Sequence, residues 1–127
     1  LSDYRADHSR ETGTALESHY RFLLWLIPAV DRFPRSQKFL LGDRIQCTAI
    51  DVLEALIEAT YSKRRDTQLA QANLGIEKLR FLFRIAHELR FLDSRRFQHA
   101  VRSLDATGRS IGAWRKAHKR HEGNRSV

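Results

Sequence analysis

The 127-residue sequence contains no methionine, a single cysteine, two prolines and six glycines. Without a methionine, Leu1 is expected to lie downstream of the natural start. Cys47 alone cannot build an intrachain disulfide framework, so a reducing compartment is expected. No long hydrophobic run is present either. The longest, Phe22 to Val30, has nine residues and contains Pro28, against the roughly 20 that span a bilayer. No signal-peptide pattern appears, and the expectation is a cytoplasmic protein with no membrane partner. At 42% hydrophobic residues the chain can build one sizeable core. A single domain over residues 1–127 is therefore expected, with 1–13 and 121–127 flexible.

Acidic residues are scarce in one part of the chain only. Residues 1–94 hold 14 basic and 13 acidic side chains, whereas residues 95–127 hold 9 and 2. Nearly all of the formal +8 thus sits in the last quarter. Charge segregated in this way favours a polyanionic partner, and nucleic acid is the expected one.

Apolar positions recur at spacings of three and four, the period of an α-helix and not of a strand. The predicted class is all-α, an antiparallel four-helix bundle. The first helix is expected to start at the capping box Thr14-Ala15-Leu16-Glu17. It should turn Leu16, Tyr20, Leu23, Leu24, Ile27 and Val30 inward and end at Phe33-Pro34. A second, from about Ser36 to Ser62, should bury Leu41, Ile45, Val52, Leu56 and Ala59, with Cys47 as a small core residue. A third should be capped by Asp66 or Thr67 and run to about Phe91. A fourth should be capped by Asp93 or Ser94 and run to about Lys119.

The third helix carries more apolar surface than one seam requires. Ala72, Ile76, Leu79, Phe83 and Ala86 form a stripe, and Leu74, Leu82, Ile85 and Leu89 widen it to an arc of about 200°. A helix so apolar is expected to touch a second partner besides its own core.

The signs of an enzyme are missing. No glutamate has a histidine three residues later, as a di-iron bundle site would need, and Glu54, Glu58, Glu77, Glu88 and His87 read as solvated or ion-paired. There is no His-Glu-x-x-His, phosphate-binding glycine loop or Gly-x-Ser-x-Gly elbow. No catalytic residue, metal or cofactor is expected.

The fourth helix has a sharper pattern. Arg95, Arg102, Arg109 and Lys116 stand seven residues apart, so each drifts only about 20° from the last and the four form a longitudinal basic stripe. Phe97, Val101, Leu104, Gly108 and Ile111 set the inward side. Arg115, Lys119 and Arg120 add charge near the helix end, where cations suit the dipole. Such residues would contact phosphates, with salt-sensitive and weakly sequence-selective binding. Arg80 and Arg84 share a narrower polar arc with His87, bordered by Glu77 and Glu88.

Several segments resemble the diversity-generating retroelement accessory proteins called Avd. They are Phe33-Pro34-Arg35-Ser36-Gln37-Lys38-Phe39-Leu40-Leu41-Gly42, Leu79-Arg80-Phe81-Leu82-Phe83-Arg84 and Gly108-Arg109-Ser110-Ile111-Gly112-Ala113-Trp114. The resemblance covers about residues 20–120. It implies a bundle that assembles into a barrel-like homopentamer and partners a reverse transcriptase and its template RNA or cDNA, supporting mutagenic copying without polymerising. Arg80 and Arg84 match basic positions of the family's third-helix motif and inherit a contact role from it. The architecture also resembles the bundle proteins encoded by intervening sequences in 23S ribosomal RNA genes, which would imply a protein-interaction scaffold with an incidental basic surface. Gly108 and Gly112 would let a neighbouring backbone approach, and Trp114 reads as a packing residue before a base-stacking one.

Overall fold

Four long helices account for most of the residues that the computed structural model describes, 11–126. They are α1 (Glu11–Asp31), α2 (Asp43–Tyr61), α3 (Arg65–Glu88) and α4 (Ser94–Ser126). α2 is entered through a short helical turn, Arg35–Gln37, and a π-helical turn, Lys38–Gly42. No strand occurs among the described residues. Each helix packs against its two neighbours in a ring: α1 on α2 and α4, α3 on α2 and α4. The predicted four-helix bundle is therefore the observed fold.

The helix ends differ from the predicted ones for local reasons. α1 begins at Glu11, so Thr14 lies inside it and the expected capping box does not start it. Pro28 is accommodated within α1, which continues to Asp31. α3 begins at Arg65 with no side-chain cap, and Asp66 sits in its first turn, where a carboxylate faces the positive end of the helix dipole. It stops before the expected Phe91 because Arg90 adopts a left-handed backbone, φ 64°. The Phe91 amide then donates back to the Ala86 carbonyl at 2.8 Å, a closure that satisfies a terminal carbonyl. At the start of α4 the Arg96 amide donates to Asp93 Oδ1 at 2.8 Å, as an N-cap should. That bond from the Arg96 backbone is the main cause that holds the Asp93 carboxyl below its ordinary value. α4 also runs past the predicted end near Lys119.

The core fills the centre with Phe22, Leu26, Ile45, Leu56, Leu79, Phe83, Leu104 and Ile111, among others. The predicted α3 seam is buried at every position, Ala72, Ile76, Leu79, Phe83 and Ala86. On α1 the phase is different: Ala15, His19, Phe22, Leu26 and Ala29 face inward with Leu23 and Val30, while Tyr20, Leu24 and Ile27 are exposed. The 22–30 stretch is apolar on nearly every side, so hydrophobicity alone does not reveal which side is covered. Cys47 is exposed and not a core residue. It falls about 160° around α2 from the buried row through Ile45, Val52 and Leu56.

Polar groups also cross the core. His19 is fully buried and its Nε2–H donates to the Ala49 carbonyl at 2.7 Å, joining α1 to α2. Its Nδ1 is buried without a hydrogen-bond partner among the described residues. Ser18 Oγ and Thr107 Oγ1, 3.0 Å apart, join α1 to α4.

Burial of His19 pushes its pKa below the ordinary 6.5, outweighing the opposing hydrogen bond to Ala49. Between the depressed native value and 6.5 the unfolded chain binds the proton more readily than the native one. Stability is therefore fully present above about pH 6.5 and falls as pH drops toward the native value. A His19→Leu variant is expected to lose that part of the acid dependence. Urea unfolding at a series of pH values checks it, and a wild-type-minus-variant difference flat from pH 7 to 5 would count against it.

Candidate nucleic-acid interface

A bundle whose four helices all bury one side must sort its remaining side chains outward. α4 presents charge. Arg95, Arg102, Arg109 and Lys116 are all exposed, on the side opposite the buried Ala100, Leu104, Thr107 and Ile111. From Arg95 to Lys116 the stripe spans about 32 Å at 1.5 Å per residue. None of its four side chains makes an ion pair among the described residues.

Only Asp105 could neutralise the middle of the stripe from within α4. It stands three residues after Arg102 and four before Arg109, where helical neighbours pair. Instead it receives a hydrogen bond from Arg80 Nη1 of α3. Arg80 also donates from Nε to Glu77 Oε1 at 3.2 Å. The Asp105 hydrogen bond is the first cause of a guanidinium pKa raised above its ordinary value. Arg80 is thus half-buried in the α3–α4 groove, bound to two carboxylates. Gly108 makes room for it: a Cβ there would lie 3.4 Å from Arg80 Nη2. The other glycine of the pair has no such neighbour, since a Cβ at Gly112 would meet nothing within 4 Å.

Arg84 is exposed, 3.9 Å from Glu88 Oε1, with its guanidinium 5.6 Å from the Phe81 ring centre. It lies one turn beyond Arg80 on α3, so Arg84 adds to the charged side that α3 turns toward α4. His87, on the same arc, stacks on Phe97 of α4 with ring centres 4.3 Å apart. Arg115 is half-buried and lines a groove with Asp66, Thr67 and Lys119. Lys119 and Arg120 are exposed near the helix end. Trp114 is buried and serves packing.

One constellation has no local signature in the sequence. Asp66 of α3 meets His118 and Glu122 of α4. Only His118 and Glu122 are close in sequence, four residues apart, so no local motif flags the group.

The other three helices expose apolar side chains among charged ones, such as Asp51, Glu54 and Glu58 of α2 and Lys78 of α3. On α3, Leu74, Phe81, Ile85 and Leu89 are exposed, as are Tyr20, Leu24 and Ile27 of α1 and Ile50, Ile57 and Tyr61 of α2. By helical phase the α3 group borders α2, and the α1 and α2 groups border their shared groove. Of the predicted second face of α3, Leu74, Ile85 and Leu89 are uncovered in the single chain, whereas Leu82 packs against the core. No helix among the described residues is long and apolar enough to cross a membrane.

No curated protein and no solved structure matches the chain. A family model does, described as bAvd-like, and it spans residues 15–118, from the first buried turn of α1 to His118 on α4. With most of all four helices inside that match, the chain belongs to the bAvd-like family.

Proposed function

We propose that the chain is a non-catalytic accessory protein of a diversity-generating retroelement that holds template RNA or cDNA near a reverse transcriptase. The observation that carries this reading is the α4 stripe, four exposed cations whose nearest helical acid, Asp105, is held by Arg80. Family membership supports the retroelement setting. Arg102, Arg109, Lys116 and Arg95 contact phosphates, and Arg84, Lys119 and Arg120 extend the surface. Arg80 acts indirectly, keeping Asp105 away from Arg102 and Arg109, and Arg115 supports the same end. Phosphate contact alone gives little base selectivity. Binding of RNA and DNA of unrelated sequence by the wild-type chain, weakening steeply with salt, is the primary test. Capture of the cognate reverse transcriptase tests the partner. A chain that binds no nucleic acid at low salt removes the reading.

The exposed apolar surfaces favour assembly. A closed homo-oligomer, a pentamer by family likeness, would cover two flanks of each subunit and multiply the basic stripe by symmetry. Phe81→Glu or Leu89→Glu is expected to dissociate it with the helices intact, because both side chains are more than half exposed in the subunit. Leu82 is unsuited to this test, since it packs against the core. Light scattering combined with circular dichroism gives the answer, and a wild-type monomer at working concentration rules assembly out. The same surfaces support a second reading, a protein-interaction scaffold of the ribosomal intervening-sequence type with an incidental basic stripe. That reading expects protein capture without salt-dependent RNA binding.

A further inference from the structure

The end of the bundle where α3 begins and α4 runs out carries chemistry that nucleic-acid binding does not use. Asp66 stands in the first turn of α3, and His118 and Glu122 share one face of α4. The His118 side chain is only 10% exposed, whereas those of Asp66 and Glu122 are 60% and 55% exposed. Its Nε2 lies 3.5 Å from Asp66 Oδ1 and 3.6 Å from Glu122 Oε1. One ligand atom from each of the three residues falls within 4.8 Å of the others.

These separations are too long for good hydrogen bonds, which put nitrogen and oxygen about 2.9 Å apart. An imidazole nitrogen also carries at most one proton, so it can serve only one carboxylate at a time. A metal ion serves both. Donors about 2.0–2.1 Å from a tetrahedral zinc stand about 3.3 Å from one another, close to the two spacings observed. The donor set of one imidazole and two carboxylates suits zinc and its first-row neighbours better than magnesium or calcium, which prefer oxygen alone. Two carboxylates also match the charge of a divalent ion. The Arg115 and Lys119 side chains that line the groove with Asp66 disfavour a loosely held cation, so retention depends on direct coordination.

We propose that Asp66, His118 and Glu122 form a binding site for a divalent transition-metal ion, zinc being the probe of choice. The ion ties the late turns of α4 to the start of α3. The nearly buried imidazole supplies a fixed donor, the exposed carboxylates close on the ion, and water completes the coordination. The site lies near the end of the basic stripe and requires no reaction.

The test is titration of the full, chelator-stripped chain with zinc, and separately with magnesium, by calorimetry, with cobalt absorption as a spectroscopic reporter. One zinc per chain, no competition from magnesium and a raised melting temperature are expected. His118→Gln should abolish binding. Because His118 is nearly buried, Asp66→Asn and Glu122→Gln, at exposed carboxylates, provide the variants least able to disturb the fold. Each should weaken zinc by about tenfold or more, as loss of a supporting group at a metal site does. Absence of saturable zinc binding overturns the proposal. So does zinc binding of unchanged affinity in the Asp66→Asn/Glu122→Gln double variant, which would place the metal elsewhere, as at His121.

Discussion

A Gly75→Leu variant is expected to lose about 3 kcal/mol of stability or more, the upper range for overpacking a tight contact. Gly75 is buried in α3 where that helix crosses α2, and an added Cβ would lie 2.3 Å from Val52 Cγ2 and 3.7 Å from Val52 Cβ. Valine is stiff at χ1 because its Cβ is branched, so the methyl cannot swing clear as the end of a long side chain would. The helices themselves must separate. Even Gly75→Ala should destabilise or bring no benefit, although alanine is the better helix former by about 1 kcal/mol. Val52→Ala supplies the control, because it removes the obstructing methyls. The double variant Gly75→Ala/Val52→Ala should be less destabilised than the sum of the two single variants, with a coupling of about 0.5–3 kcal/mol. Urea unfolding at one fixed protomer concentration measures this, since the proposed assembly would make apparent stability concentration-dependent. Strict additivity would show that Gly75 is not the point of closest approach.

That close approach also explains what sequence reading can and cannot find. The α3 seam is legible because Ala72, Ile76, Leu79, Phe83 and Ala86 alternate with Glu77, Lys78, Arg84 and other charged side chains, so polarity marks the phase. On α1 that marker is missing between Phe22 and Val30, and large residues draw the predicted seam toward Tyr20, Leu24 and Ile27. The covered face is instead built from Ala15, His19, Phe22, Leu26 and Ala29. Two of these are alanines and one is a histidine, placed by close packing and a hydrogen bond to Ala49 and not by hydrophobicity.

The candidate surface divides in the same way. The α4 stripe is legible because it is local, a seven-residue repeat on one helix. The role of Asp105 is not, because nothing in the order of residues shows that Arg80, 25 positions earlier, will reach it. Asp66 with His118 and Glu122 is hidden for the same reason: helix pairing brings distant residues together, and periodicity reports only which side of a helix is covered. Glu77 and Glu88 border Arg80 and Arg84 by helical spacing alone, and each does pair with its arginine.

Replacing Arg102, Arg109 and Lys116 together by alanine is expected to reduce affinity for RNA and DNA of every sequence. The three side chains are exposed and without ion-pair partners among the described residues, so their removal leaves the buried side of α4 intact and alanine favours the helix. Helicity and assembly should therefore survive. The slope of log affinity against log salt should flatten by about 0.7 for each phosphate left without its cation on a single strand, or about 0.9 on duplex DNA. Three such phosphates change the slope by about two or more. Arg80→Ala should act in the same direction through a different cause, since Asp105, released from α3, becomes free to pair with Arg109 or Arg102 in the helix. If so, Asp105→Asn added to Arg80→Ala restores most of the affinity, which direct phosphate binding by Arg80 would not allow. Arg84→Ala, by contrast, separates two roles for that side chain: a slope flattened by about 0.7 marks a phosphate contact, and lost capture of the reverse transcriptase with the slope unchanged marks a protein contact. A triple variant that bound RNA with wild-type affinity and slope would remove α4 as the site and move attention to Arg84 and to Lys63 and Arg64, exposed between α2 and α3.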